Sequence, residues 1–415
     1  MKRVFFTISW LIISLLAWKL ADQYIFCPVY EFKEPHSFSG DSVYNPYANF
    51  NAINYHRANF HSHSNFGLGL TNGKGISKDI WTTYDKLGYA FHSISQYQYI
   101  DRFNDSNSSF ISAYEHGYNI KKSHQLILGA TSVEWKDYIF PQTLNNKQEL
   151  LSRLAKDTGN VIILNHPDLR SGYEKQDLKY LHYYDCMEVL NPSANSISHW
   201  DTALSAGKKI FLVANDDVHD IFNENQVGRF CTLVSAPNKI SREALNSLKS
   251  GSGIAMWIPY SQGESFDMKK QKFEESKIAL ESLNVQNDSM EVLFSDIVKN
   301  VEVYGQNGIK VFSASNIQGF KLPFPKWAAY YRTEYTTSDG IKYLLNPIIR
   351  FKTNLESRKS IAESFVKKVN RNNMAGILFI LIWSNFQLIV ILKLLKVKVK
   401  SIFSRIFNKV ASHIS

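Results

Sequence analysis

The sequence predicts an α/β protein, a parallel sheet or barrel followed by a small β-rich module, the whole flanked by two transmembrane helices. Three observations carry this. Short β-branched runs alternate with helical stretches between about residues 50 and 260, the pattern of sheets built from strand-helix units. From about Ser276 to Phe351 the pattern changes to strands separated by Gly and Asn turns. An apolar run long enough to span a bilayer lies near each end.

In chain order, Val4 to Leu20 follows Lys2 and Arg3 and is interrupted only by Thr7, Ser9, Ser14 and Lys19. Either a signal anchor or a cleaved signal peptide fits. The run exceeds a typical signal core and lacks a clean small-x-small site before Ala21, so an uncleaved anchor over 4–20 is expected. Met374 to Leu392 is uncharged, with polar Ser384, Asn385 and Gln387, and is the second expected span. Two spans put both termini on one side. Lys2 and Arg3, together with Lys393, Lys396, Lys398, Lys400, Arg405 and Lys409 after the second span, outweigh Lys367, Lys368 and Arg371 before it. Both ends are therefore expected in the cytoplasm of a bacterial-type inner membrane, with the middle of the chain facing the periplasm or exterior. In the tail 393–415, Ile402, Phe403, Ile406, Phe407 and Val410 recur at helical spacing between cations, which suits an anionic lipid surface. A stop-transfer tail with no further role fits equally.

The chain of 415 residues carries a formal charge of +10, but residues 351–415 hold twelve Lys and Arg against Glu356 and Glu363 and account for all of it. The remainder is neutral and offers no basic stripe for nucleic acid. The lipid bilayer is the partner that the charge implies. Cys27, Cys186 and Cys231 are too few and too scattered for a disulfide framework or a zinc knuckle.

Gly88 to Ile94, Gln125 to Gly129, Asn160 to Leu164, Cys186 to Leu190 and Lys209 to Ala214 are expected as buried strands; Val301 to Tyr304, Gly308 to Phe312 and Ile341 to Leu345 belong to the β-rich module over 276–351. His61 and His63 sit two apart after a short apolar run, so a strand end would present both imidazoles on one side. Alone, such a pair is more often structural. Further candidates follow the later strands: Glu134 after 125–129, His166 in Asn165-His166-Pro167 after 160–164, Asp217 and His219 after 209–214. A barrel builds its active site at those strand ends.

The order His-x-His, Gly with a nearby Glu, His-Pro, then Asp-x-His resembles the PHP (polymerase and histidinol phosphatase) family of metal-dependent phosphoesterases over residues 57 to 255. Met187-Glu188-Val189-Leu190-Asn191 is similar to the Glu-containing strand before that family's last metal motif. The resemblance implies a distorted (β/α)7 barrel and water-driven hydrolysis of a phosphate ester. It implies a first metal on His61, His63, Glu134 and Asp217, a second bridged by Glu134 and held by His166, and His219 beside a third position. One or two divalent ions, Zn, Mn or Fe, suit such ligands. His166 and His219 are the candidates for proton donor.

Departures from the family's pattern are equally visible. Ser95-Gln96-Tyr97 stands where Thr-Asp-His is usual, the Ser-Asp-Gly turn is missing after Ser64, and no histidine lies between Glu134 and His166. His92 shares strand parity with Ile94 and Gln96 and is expected to be packed or hydrogen-bonded rather than ligating. Lys74, Arg170 and Arg229 fall in rim loops, and Asn191 either points into the mouth or forms a turn before Pro192. Three functions remain open: a phosphoesterase acting on a phosphate-ester or envelope-derived substrate, a degenerate binding or scaffolding module in a membrane assembly, and a metal-dependent hydrolase of an amide or a cell-envelope sugar linkage.

Overall fold

The computed structural model describes residues 2–67, 72–352, 365–368 and 374–394. The chain forms two compact units, the termini (Met1–Val29 with Lys367–Ser415) and a body (Tyr30–Val366). In the terminal unit, helices Lys2–Tyr24 and Met374–Leu394 expose leucines, isoleucines and phenylalanines all around their surfaces. At a rise of about 1.5 Å per residue each is long enough to cross a hydrocarbon layer. They meet through Trp18, 6.2 Å from Phe379 and 6.4 Å from Trp383, and through Gln387, which donates to Ser14 at 3.1 Å. The tail expected to be amphipathic lies outside the described residues beyond Leu394.

The body is built on two open sheets. The first runs Phe211–Ala214, Cys186–Asn191, Val161–Leu164, Gln125–Leu128, Ala113–His116, with Ala194–Asn195 folded back on its neighbour. Its first three strands are parallel, and Gln125–Leu128 is antiparallel to both strands beside it. Val161-Ile162-Ile163-Leu164 has all four side chains buried, with Val161 and Ile163 in one apolar cluster and Ile162 and Leu164 in another. A parallel strand covered on both faces requires such an unbroken apolar run. The second sheet has eleven strands and passes from Phe91–His92 through Tyr55–Asn59, Phe230–Ser235, Ile254–Trp257, Lys342–Leu345 and Tyr330–Thr336 to the long strand Ser289–Tyr304 and its partners.

This arrangement corrects the expected (β/α)7 barrel. Ala113–His116 and Gln125–Leu128 are joined by eight residues without a helix, so they pair as an antiparallel hairpin instead of continuing the parallel winding. Among the described residues the backbone outside the sheets makes isolated bridges, Ser62 with Val218, Lys74 with Asp220 and Tyr97 with Glu115, and the sheets stay open. The strand expected over 88–94 is reduced to Phe91–His92. The β-rich part is continuous with the rest, since Lys342–Leu345 pairs antiparallel with Ile254–Trp257. Asn346 reinforces the join by accepting from Leu212 N at 2.8 Å and donating to the carbonyls of Gly251 and Gly253.

Candidate metal centre

His61 and His63 leave the end of Tyr55–Asn59 on a segment pinned from both sides. Ser62 donates to Ser93 O at 2.7 Å, and His63 N donates to Val218 O at 2.8 Å. Extended backbone between the two histidines turns both rings inward, and both are fully buried. Glu115 enters from Ala113–His116, His124 from the residue before Gln125–Leu128, His166 from the end of Val161–Leu164, and Asp217 from the loop after Phe211–Ala214. His166 and Asp217 take left-handed backbone angles, φ 30° and 47°. Such conformations cost a non-glycine residue about 1 kcal/mol or more and persist where the surroundings enforce them.

The side chains converge. His61 Nε2 lies 3.1 Å from Asp217 Oδ1 and 3.5 Å from Glu115 Oε2; His63 Nε2 lies 3.2 Å from that Glu115 oxygen and 3.4 Å from Asp217 Oδ1. All four atoms are buried, and none has a hydrogen-bond partner among the described residues. Ligands held about 2.1 Å from one divalent ion stand about 3.0 to 3.4 Å apart. The donor set and its spacing therefore fit a divalent cation. The other Glu115 oxygen faces a second set, His124 Nδ1 at 2.7 Å and His166 Nε2 at 3.4 Å. Glu115 is thus placed as a bridging carboxylate, and ligand atoms from Glu115, His124 and His166 come close enough to hold a second ion.

Glu188 orients the first set. It accepts from His61 Nδ1 at 3.1 Å and, at 3.0 Å each, from Asn215, Asn191 and the His166 backbone. A carboxylate can only accept, so in the neutral ring the His61 proton sits on Nδ1 and Nε2 is left facing the centre. Burial works against every charge here, yet the imidazoles of His124 and His61 hold the Glu115 carboxyl well below its usual range. Burial likewise opposes ionisation of Asp217, but His61 and His63 more than offset it and keep that carboxyl low. Three carboxylates facing imidazoles make the cluster electronegative and suited to cations.

The structure brings His61, His63, His166 and Asp217 together, with His219 at the edge, its ring 4.5 Å from His63. Glu134 does not. It lies outside the cluster, one oxygen accepting from Lys136 N at 2.9 Å and the other 3.9 Å from Arg153. Glu115 takes the place expected for it, and the missing histidine of the second set is His124, to which the sequence had assigned no role. The strand Ala113-Tyr114-Glu115-His116 escaped notice because a buried carboxylate and imidazole break the apolar pattern by which buried strands are found. Gly117, at φ 119°, allows the hairpin to close here: a Cβ on it would stand 3.2 Å from the His124 ring. His92 is packed, 3.8 Å from Trp81 between ring centroids, and burial lowers its pKa to about 3. Asn191 reaches the centre, donating also to Asp217 Oδ2 at 3.3 Å. Lys74 pairs with Asp220 at 2.7 Å, and Arg170 is exposed on the loop after His166.

No family model matches this sequence, and no curated protein does. Among solved structures, the chain is similar to a two-domain protein containing a predicted PHP-like metal-dependent phosphoesterase from Bacteroides vulgatus ATCC 8482. The match has 12% identity and a TM-score of 0.38, over 76% of this chain and 99% of the other. A TM-score that low carries no argument about fold or chemistry. What defines the site is its own side chains: a buried cluster of histidines and carboxylates fitted to divalent cations.

Proposed function

We propose that this protein is a membrane-anchored, metal-dependent phosphoesterase whose body faces the extracytoplasmic side, where it acts on an envelope-derived phosphate ester. The observation that carries the reading is the convergence of His61 Nε2, His63 Nε2, Glu115 Oε2 and Asp217 Oδ1, all buried and without hydrogen bonds among the described residues. Such atoms are costly to bury unless a cation joins them. The His-x-His, His-Pro and Asp-x-His motifs, which resemble those of the PHP family, support phosphoryl chemistry. The cations flanking the two apolar helices support the orientation.

In this reading His61, His63, Glu115 and Asp217 hold one divalent ion, and Glu115, His124 and His166 a second. When bound, the ions supply Lewis acidity toward phosphoryl oxygens and acidify water. The protein's own contribution is order and proton supply. Glu188 fixes the His61 ring, and Asn165 fixes Glu115 by donating to Oε1 at 3.0 Å. His219 has a partly exposed side chain, and its Nδ1 lies 3.0 Å from the Asp217 carbonyl. The carbonyl assigns the proton to Nδ1 of the neutral ring and turns Nε2 into the acid-base atom, which when protonated delivers its proton to the departing alkoxide as the P–O bond breaks.

The test is elemental analysis of the full-length protein in detergent, alone and with His61→Ala and His63→Ala combined, followed by hydrolysis of an aryl phosphate. Bound transition metal that disappears in the double variant, together with turnover, is the expected result. A folded wild-type protein that takes up no metal would end the catalytic reading and leave a binding module.

A further inference from the structure

Tyr97 touches both ligand sets and belongs to neither. Its backbone forms a parallel bridge with Glu115, held by Glu115 N donating to Gln96 O at 3.1 Å and Gln98 N to Glu115 O at 2.9 Å. Residues paired across a bridge project to the same face, so the Tyr97 side chain follows the Glu115 carboxylate toward the centre. There its ring stacks on His63, at 5.1 Å and 23°, and meets His124 edge-on, at 5.3 Å and 77°. The phenol ring is thus wedged between one residue of each set. Unlike the buried ligands His61, His63, Glu115 and His124, Tyr97 is only partly covered, so its ring forms part of the border between the centre and solvent.

The chemistry of the border is lopsided. The ligands themselves offer acceptor atoms, and the neutral amides around them already donate to protein groups: Asn191 to Glu188 and Asp217, Asn165 to Glu115, and Gln96 to Ser64. A phosphoryl group bound at the centre has non-bridging oxygens that need donors as well as cations, and a phenol is a neutral O–H donor at physiological pH. Tyr97 presents that donor from between the two ligand sets.

We propose that Tyr97 is a catalytic residue of this site, its hydroxyl donating a hydrogen bond to a non-bridging oxygen of the substrate phosphoryl group. The inference rests on the phosphoesterase reading above. A donor fixed in advance by ring packing is aligned with the position that oxygen takes in the transition state, so its loss falls on kcat more than on KM.

Tyr97→Phe removes the hydroxyl and keeps the ring on His63. In full-length, metal-loaded protein three quantities are read: bound metal by elemental analysis, affinity for inorganic phosphate by calorimetry, and kcat and KM on an aryl phosphate. Metal content is expected to be unchanged, phosphate affinity to fall about tenfold, and kcat to fall about a hundredfold with a smaller change in KM. Tyr99→Phe, which removes a phenol hydroxyl from the exposed ring stacked on Phe66, is expected to match wild type in all three. Wild-type phosphate affinity and kcat in Tyr97→Phe would overturn the assignment, and so would loss of metal, which would make the hydroxyl a metal-holding group. Should the wild-type protein bind metal and phosphate but cleave no ester, the phosphoesterase reading falls, whereas equal phosphate affinity in the two proteins removes Tyr97 alone.

Discussion

Two buried charged clusters sit in the body, and they are built in opposite ways. Around Arg332, charge is balanced by the protein itself: the guanidinium donates to both oxygens of Asp201 at 2.6 and 2.8 Å and to Glu334, while Lys342 pairs with the other Glu334 oxygen. Around His61, the carboxylates Glu115, Asp217 and Glu188 face imidazoles, and several inward atoms have no partner among the described residues. The first cluster is closed and holds the β-rich strands against the helix Ile197–Ser205. The second is complete only with added positive charge. Completeness, rather than the mere presence of buried charge, separates a structural ion network from a site for a ligand.

Stripping divalent ions with a chelator should have the largest effect, because it acts on the open cluster alone. Hydrolysis is expected to vanish, and the melting temperature of full-length protein to drop, by an amount corresponding to about 4 kcal/mol where free metal had stood a thousandfold above its dissociation constant. An unchanged melting curve would show that the orphaned atoms need no cation. Arg332→Met acts on the closed cluster and leaves Asp201 and Glu334 buried without their cation. A loss of about 3 to 5 kcal/mol is expected in chemical denaturation, with metal content of the folded fraction unaltered.

Glu115→Gln and Glu134→Gln sharpen the boundary of the open cluster. The first should lower metal stoichiometry and cut kcat by about a hundredfold or more. The second should change stability by no more than about 0.5 kcal/mol and leave metal bound. Metal loss from Glu134→Gln would return the bridging role to that residue.

The effect of His92 is confined to acid pH. Burial depresses its pKa from an ordinary 6.5 to about 3 in the folded state, so the unfolded chain takes up its proton first as pH falls. Stability contributed by neutral His92 is complete above pH 6.5 and declines below it, by about 2 kcal/mol between pH 6.5 and 5. His92→Leu should flatten that part of the stability profile relative to wild type, without altering bound metal. Identical slopes in the two proteins would mean that His92 is hydrated.

Much of this organisation is legible in the sequence where local chemistry and position coincide. Val161–Leu164 and Phe211–Ala214 are apolar throughout, and the cluster residues His166 and Asp217 follow them closely. The antiparallel hairpin is not legible in that way. Glu115 and His116 make its first strand look polar, and the glutamate after Gln125–Leu128 draws attention to Glu134, which lies outside the cluster. The closed barrel fails for a related reason: strand-helix alternation records local winding, whereas closure depends on whether distant edges pair, and Tyr97 with Glu115 supplies only a single bridge. The continuity of Lys342–Leu345 with Ile254–Trp257 is likewise long-range and leaves no mark on composition.

At the boundary of the body, the rings of Tyr30 and Phe365 pack at 5.3 Å, so the chain enters and leaves this unit side by side. A unit with adjoining ends behaves as a cassette. It can be lifted out by joining those ends through a short linker, opened at an exposed loop elsewhere, and inserted into a foreign host with little cost in chain entropy.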